Sequence, residues 1–190
     1  MKFVANISND DDAALEAVHF DGRIEVVDTP DALVKACKIL SKERLIGFDT
    51  ETRPSFKAGV TNKIALLQLS PKEHCFLIRL NKLPLSRELR SICSSNDIKK
   101  VGADVRNDIN GLNKLRHFTA NGFIDLQSEV GKYGIEDRSL RKISGIVLGK
   151  KVSKAQRLSN WEAKQLTPQQ QMYAATDAWV CIEIYNKLTK

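Results

Sequence analysis

The sequence predicts one α/β domain, a mixed β-sheet flanked by α-helices, and three observations carry that prediction. Strand-like runs dominate the first half, strand and helix alternate through the middle, and the last third is helical, an order that puts a β-meander in a layered domain. At 190 residues the chain suits one domain with a proper core, at most with a short N-terminal addition. Its 42% hydrophobic and 28% charged residues are the balance of a globular protein, and no internal repeat or low-complexity linker divides it.

Residues 1–21 are rich in Asp and weakly patterned, and read as a peripheral arm or short helix ahead of a domain spanning 22–190. Arg23–Asp28 alternates like a strand. Thr29-Pro30-Asp31 has helix-start chemistry for Ala32–Leu40, whose apolar residues recur at helical spacing. The strand Arg44–Asp49 follows, and then a loop over Thr52–Asn62 with Pro54 and Gly59; loops at a strand's carboxyl end commonly carry function. Lys63–Ser70 and His74–Ile78 read as two strands around a turn at Pro71-Lys72. Leu85–Ser94 is an amphipathic helix with Leu85, Leu89, Ile92 and Cys93 on one side. Lys99–Gly102 is a short strand, and Val105–Leu115 a helix with Ile109, Leu112 and Leu115 facing inward. Gly122–Leu126 is another strand, and Ser128–Tyr133 and Leu140–Leu148 are helices. The last helix has the clearest start: Thr167 caps, Pro168 takes the first helical position and Gln170 completes a capping box, with Leu188 near its end.

Composition narrows the functional classes. No apolar run approaches membrane-spanning length and no charged-then-apolar signal pattern opens the chain, so an intracellular, cytoplasmic location is expected. Cys37, Cys75, Cys93 and Cys181 are scattered without a Cys-x-x-Cys pair, which removes the usual zinc and redox spacings and favours reduced core cysteines. His19, His74 and His117 are isolated, so neither a Cys–His nor a Ser–His–Asp arrangement has a candidate. The net charge of +7 is uneven: residues 1–31 hold eight acids against Lys2 and Arg23, whereas Arg138–Arg157 holds seven basic residues and no acid. Such a block reads equally as a solvated helix surface or as a phosphate-binding face.

The chemistry centres on Leu45–Glu51, where a short apolar run ends in Asp49 and Glu51. Residues two apart on a strand share a face, so both acids project side by side from the end of a buried strand. Bare carboxylates so placed repel each other and are costly to desolvate, and a hard divalent cation such as Mg²⁺ or Mn²⁺ relieves both problems. An Asp-x-Glu triplet is common by chance, and alone it is explained by a solvated strand end. Three further residues join it. Tyr173 and Asp177 lie four apart on the last helix and share a face; Asp108 follows Lys100-Val101-Gly102 at a distance that points it back toward the strand end. Four converging carboxylates suit two metals in an in-line displacement at a phosphodiester, with Tyr173 placed to orient the attacking water or to help deprotonate it.

These motifs resemble the DEDD-superfamily 3'–5' exonucleases of the tyrosine subclass, the group that includes ribonuclease D and the Werner-syndrome exonuclease domain. Phe48-Asp49-Thr50-Glu51 is similar to the first motif, Lys99–Gly102 through Asn107-Asp108 and Leu112 to the second, and Tyr173-Ala174-Ala175-Thr176-Asp177 to the third. Leu148-Gly149, Lys154, Ser159-Asn160-Trp161 and Leu166-Thr167 resemble the family's approach to its last motif, and the likeness covers roughly residues 22–188. Asp104 lies one turn before Asp108, but Asp108 has the Werner-like spacing after Gly102 and precedes Leu112. Ala103 departs from the family, since ribonuclease D relatives often have His there.

The resemblance implies a ribonuclease-H-like fold and two divalent metal ions, Mg²⁺ or Mn²⁺. It implies that Asp49 bridges both, that Glu51 and Asp177 complete the first site, that Asp108 acts at longer range through water, and that Tyr173 positions the nucleophile. An exonuclease must hold a polyanion, so Lys154 and Arg157 are expected phosphate contacts and Thr50 a further substrate contact, with the other cations left as surface. Asp125 and Asp137 read as cap or turn acids, and Trp161 as an anchor at the start of the last helix. The expected activity is removal of nucleoside 5'-monophosphates from the 3' end of single-stranded or 3'-recessed DNA or RNA. The alternative is a nucleic-acid-binding accessory module with the same fold and weak catalysis. A third reading, an Asp-x-Glu hydrolase of small nucleotides, would not need the basic segment.

Overall fold

The computed structural model describes residues 2–57 and 59–190; position 1 of the expected arm and position 58 of the expected loop lie outside the described residues. Among the described residues six strands form one sheet: β1 (Arg23–Val27), β2 (Leu45–Thr52), β3 (Ile64–Ser70), β4 (His74–Arg79), β5 (Lys99–Gly102) and β6 (Phe123–Asp125), in the order β1-β4-β3-β2-β5-β6. β2, β3 and β4 make the antiparallel meander; β1 adds parallel to β4, and β5 and β6 follow parallel to β2. β3 is an almost unbroken apolar run because it is central and covered on both faces, and every one of its residues is buried.

Helices α2 (Pro30–Leu40), α3 (Arg87–Ser94) and α4 (Val105–Leu115) cover one face, where Leu33, Leu89 and Leu112 join Phe48, Leu67 and Phe76 in one core. The other face carries α6 (Leu140–Leu148) and α7 (Pro168–Thr189). There Ile143 and Val180 pack with Val101, and Ala174 and Ala175 pack with Leu66 and Leu77. The short region between β6 and α6 departs from expectation. In place of one helix over Ser128–Tyr133 there is a single turn, α5 (Leu126–Glu129), followed by a 3₁₀ turn at Val130–Tyr133. Asp125 starts the helix early by accepting the Gln127 N–H at 2.9 Å, and Gly134, in the left-handed region at φ 78°, stops it.

The long helix α7 lies close over the strand that carries the paired acids. Its Ala174, Ala175 and Ala178 are fully buried, and Gly47 of β2 meets it: a Cβ on Gly47 would stand 1.9 Å from the Ala178 carbonyl oxygen. A glycine inside a strand commonly marks such an approach of a second backbone. Gly47→Ala must therefore push helix and strand apart. It is expected to cost at least about 1–3 kcal/mol, seen as a lower urea midpoint, and to weaken metal-dependent activity because Asp49 is two residues away.

The N-terminal arm is docked. Its helix α1 (Asn9–Ala14) starts at Ser8, whose Oγ accepts the Asp11 N–H at 3.0 Å, and the buried Asp12 carboxylate receives Nε of Arg141 on α6. Beyond it, the Lys151 N–H donates to Glu16 O at 2.9 Å, the Val18 N–H to Lys151 O at 3.0 Å, and the Phe20 N–H to Thr176 Oγ1 at 3.1 Å. Arg141→Ala leaves Asp12 buried without its cation, a loss of about 1.5–3 kcal/mol for a hydrogen bond to a charged group. Because the arm is a local unit, amide exchange at Val18 and Lys151 is expected to quicken about tenfold or more while the sheet stays protected.

Candidate active site

Strand alternation turns Phe48 and Thr50 toward α4 and sends Gly47, Asp49 and Glu51 to the α7 face. The capping box at Thr167 and Gln170, with hydrogen bonds of 3.2 and 2.9 Å, sets where α7 begins and so which residues arrive over the strand end. Tyr173 and Asp177, one turn apart, are the ones that do. Carboxylate oxygens of Asp49, Glu51 and Asp177 all lie within 4.8 Å of one another.

Asp108 stands outside that triad. It comes from α4, and its Oδ1 accepts the Thr50 hydroxyl at 2.5 Å. The Thr50 side chain, expected to touch substrate, thus holds Asp108. Asp104, its competitor in the sequence, is at the exposed entrance of α4 with φ 64°; its N–H donates to Asp125 Oδ1 at 3.2 Å and its Oδ2 accepts from Asn107 at 2.7 Å. That engagement leaves Asp108 as the α4 carboxylate facing the strand end. Trp161 is fully buried, and Arg79 donates to its backbone carbonyl and to that of Ala163, fixing the approach to α7.

Burial of like charges dominates the electrostatics. Burial, then the charge of Asp177, holds the Asp49 carboxyl well above the usual range. Burial pushes Glu51 up to about 10, reinforced by Asp49, Asp177 and Asp108. Asp108 rises to about 8 through burial and then Asp49, and Asp177 to about 7 through burial. The Tyr173 hydroxyl is also raised, by burial first and then by Asp177 and Glu51, so it keeps its proton. Two orphaned groups accompany the acids. Asp177 Oδ1 is buried without a hydrogen-bond partner among the described residues, and so are both amide atoms of Gln68. Gln68 sits directly opposite Asp49 in the β2–β3 register, so the two side chains share a face. Crowded carboxylates, raised pKa values and an unsatisfied oxygen fit a hard divalent cation with oxygen ligands, and no Cys or His in the triad suggests zinc.

Two cavities reach the acids. One, of about 360 Å³, is lined by Thr50, Glu51, Asn62, Lys63, Asp108 and Lys114. The other, of about 380 Å³, reaches Tyr173 and Asp177 and is lined also by Val18, His19, Gln156 and Met172. Lys63, Lys114 and His19 were not singled out in the sequence. Asn107, Gly111 and Lys114 recur at helical spacing along the side of α4 that lines the first cavity, which was the available signal. Nothing local ties His19 to Met172, because only the folded arm brings them together.

The basic segment divides. Arg138 donates to Gln127 O, Arg141 to Asp12, and Lys151 to Ala13 O, while Lys142 pairs with Asp137 at 3.5 Å. Lys154 and Arg157 are exposed, with no side-chain partner among the described residues, on the stretch whose Ser153, Ala155 and Gln156 line the second cavity.

The chain belongs to the 3'-5' exonuclease family, whose model matches residues 24–190. It is 32% identical over 158 residues to the bifunctional 3'-5' exonuclease/ATP-dependent helicase WRN of Mus musculus, covering 78% of this chain and 11% of that protein. It is 33% identical over 151 residues to exonuclease 3'-5' domain-containing protein 2 of Drosophila melanogaster, covering 77% and 26%. The chain therefore spans only about a tenth to a quarter of these relatives' length. Its fold is shared with the Nibbler EXO domain of Aedes aegypti, at TM-score 0.81 and 24% identity over 90% of this chain and 91% of that one. Escherichia coli RNase D matches at TM-score 0.77 and 24% identity over 88% and 44%. The mixed six-stranded sheet is thus the ribonuclease-H-like fold of these exonucleases.

Proposed function

We propose that the chain is a metal-dependent 3'–5' exonuclease of the tyrosine subclass, acting on single-stranded or 3'-recessed nucleic acid and releasing nucleoside 5'-monophosphates. The observation that carries this reading is the convergence of the Asp49, Glu51 and Asp177 carboxylates at one strand end, in a chain of the 3'-5' exonuclease family. Asp49, Glu51 and Asp177 are assigned to one divalent cation, Mg²⁺ or Mn²⁺, and Asp49 with Asp108 to a second. Bound there, the cations supply a nucleophile from water near neutral pH and offset charge on the leaving 3' oxygen. Thr50 keeps Asp108 oriented through its 2.5 Å hydrogen bond. Tyr173 is placed to orient the attacking water or to help deprotonate it. Lys63 and Lys114 at one cavity, and Lys154 and Arg157 beside the other, offer positive charge to backbone phosphates. A Trypanosoma brucei RNase D of the same fold was solved with RNA U12, and WRN carries a helicase in its name; both attach the reading to nucleic acid and leave the sugar open.

An end-labelled degradation assay on matched DNA and RNA oligonucleotides, with Mg²⁺ or Mn²⁺, tests this. Wild type is expected to give a ladder shortening from the 3' end, and Tyr173→Phe to slow it by about a hundredfold, the range for a positioned proton-handling group. Tight, salt-sensitive binding with no ladder in either metal would replace this reading with that of an accessory binding module. Hydrolysis confined to mononucleotides would replace it with a small-nucleotide phosphohydrolase.

A further inference from the structure

The arm precedes the family match at residues 24–190, yet it builds one side of the cavity beside Tyr173. Val18 and His19 come from the arm, Val152 and Gln156 from the segment after α6, and Met172 and Tyr173 from α7. The arm is not loosely placed there. Asp12 is tied to Arg141, Val18 is tied through its backbone to Lys151, and Phe20 is buried with its N–H on Thr176, on either side of the cavity-lining pair.

The cavity's dimensions and chemistry restrict what can fill it. About 380 Å³ falls in the range of small-molecule sites, about 300–1,000 Å³, which admits a nucleoside and not a helix about 10–12 Å across. Its walls are mainly apolar, with a thioether and an exposed imidazole among them, and such groups take up the face of an aromatic ring. Its inner end meets the acid cluster, because Asp177 belongs to both. Lys154 and Arg157, exposed on the adjoining segment, put positive charge where the backbone of a strand entering the cavity would run.

We propose that the N-terminal arm is part of the substrate site: Val18 and His19, with Met172, hold one nucleobase of the strand whose phosphodiester reaches the acid cluster. This rests on the exonuclease reading above. Contact with a base through stacking is sequence-tolerant, so this subsite favours the presence of a base without selecting its identity.

The test uses the whole chain and single-stranded oligonucleotides in which one nucleotide at a time, counted from the 3' end, is replaced by a tetrahydrofuran abasic unit. The readout is the ratio of kcat/KM on intact and abasic strands within each protein. Wild type is expected to show a penalty of about tenfold at one position, the scale of one lost base stack. In His19→Ala that penalty falls to about twofold or less, and His19→Phe, which keeps a flat ring, restores it. A variant that merely folds less well lowers both substrates alike and leaves the ratio unchanged. The same position-specific penalty in His19→Ala as in wild type, or no penalty at any position in wild type, overturns the subsite while leaving the exonuclease reading intact. A wild type that degrades no oligonucleotide overturns both.

Discussion

Asp49→Asn is expected to leave the fold intact and to lower exonuclease turnover by about a thousandfold or more. The substitution is isosteric and removes one negative charge from the place where three carboxylates lie within 4.8 Å of one another. Metal ions stabilise transition-state charge by several kcal/mol, and each 1.36 kcal/mol is a factor of about ten in rate. Losing the carboxylate assigned to both cations removes much of that stabilisation at once. The same change relieves repulsion, since after burial the Asp49 charge is the next cause of the raised pKa values of Glu51 and Asp108. The variant is therefore expected to melt at a higher temperature than wild type in EDTA, and to gain less from added Mn²⁺. A degradation ladder and a pair of thermal melts measure both effects. Activity within tenfold of wild type would remove Asp49 from the metal site.

Features fixed by local rules are legible in the sequence, and those fixed by long-range contacts are not. Strand β2 and its two acids were legible because alternation on a strand is a local rule, and Asp49 and Glu51 needed only that rule to share a face. The start of α7 was legible for the same reason: Thr167 and Gln170 lie three residues apart, and the hydrogen bonds they make are local. Asp108 was placed by its spacing after Gly102, but its partner Thr50 is 58 residues away, and the hydrogen bond that sets its orientation could not be read from either segment. Within the basic segment, Lys154 and Arg157 are expected to contact phosphate and the other cations to be surface. Only the docked arm shows that Arg141 and Lys151 hold Asp12 and Ala13, leaving Lys154 and Arg157 beside the cavity. The arm reads as peripheral, or as a short helix, because its pattern is weak. What pins it are single long-range contacts, Asp12 to Arg141 and Phe20 to Thr176, which leave no periodic trace.

In the metal-free protein, thermal stability is expected to fall as pH rises from about 5 to 8, opposite to the behaviour of a domain whose carboxylates are paired. Glu51 at about 10, Asp108 at about 8 and Asp177 at about 7 all retain protons in the fold at pH values where the unfolded chain, at 4.5 and 3.8, has released them. The folded state then binds more protons than the unfolded one, so raising the pH favours unfolding. The contribution is fully present below the unfolded values and is lost as pH climbs through 7, 8 and 10. One retained proton is worth about 1.4 kcal/mol per pH unit. At about 2–4 °C per kcal/mol for a chain of this size, each retained proton lowers Tm by about 3–6 °C per unit. Divalent cations bind the deprotonated acids, so saturating Mn²⁺ or Mg²⁺ should flatten this slope and release protons. At a hundredfold excess over Kd the cation adds about 2.7 kcal/mol, or about 5–10 °C. Melts between pH 5 and 8, in EDTA and in Mn²⁺, separate the two curves most widely at the alkaline end. A Tm in EDTA that stays level or rises over that range would mean that the strand-end carboxylates do not repel one another, and the case for cations between them would lose its physical basis.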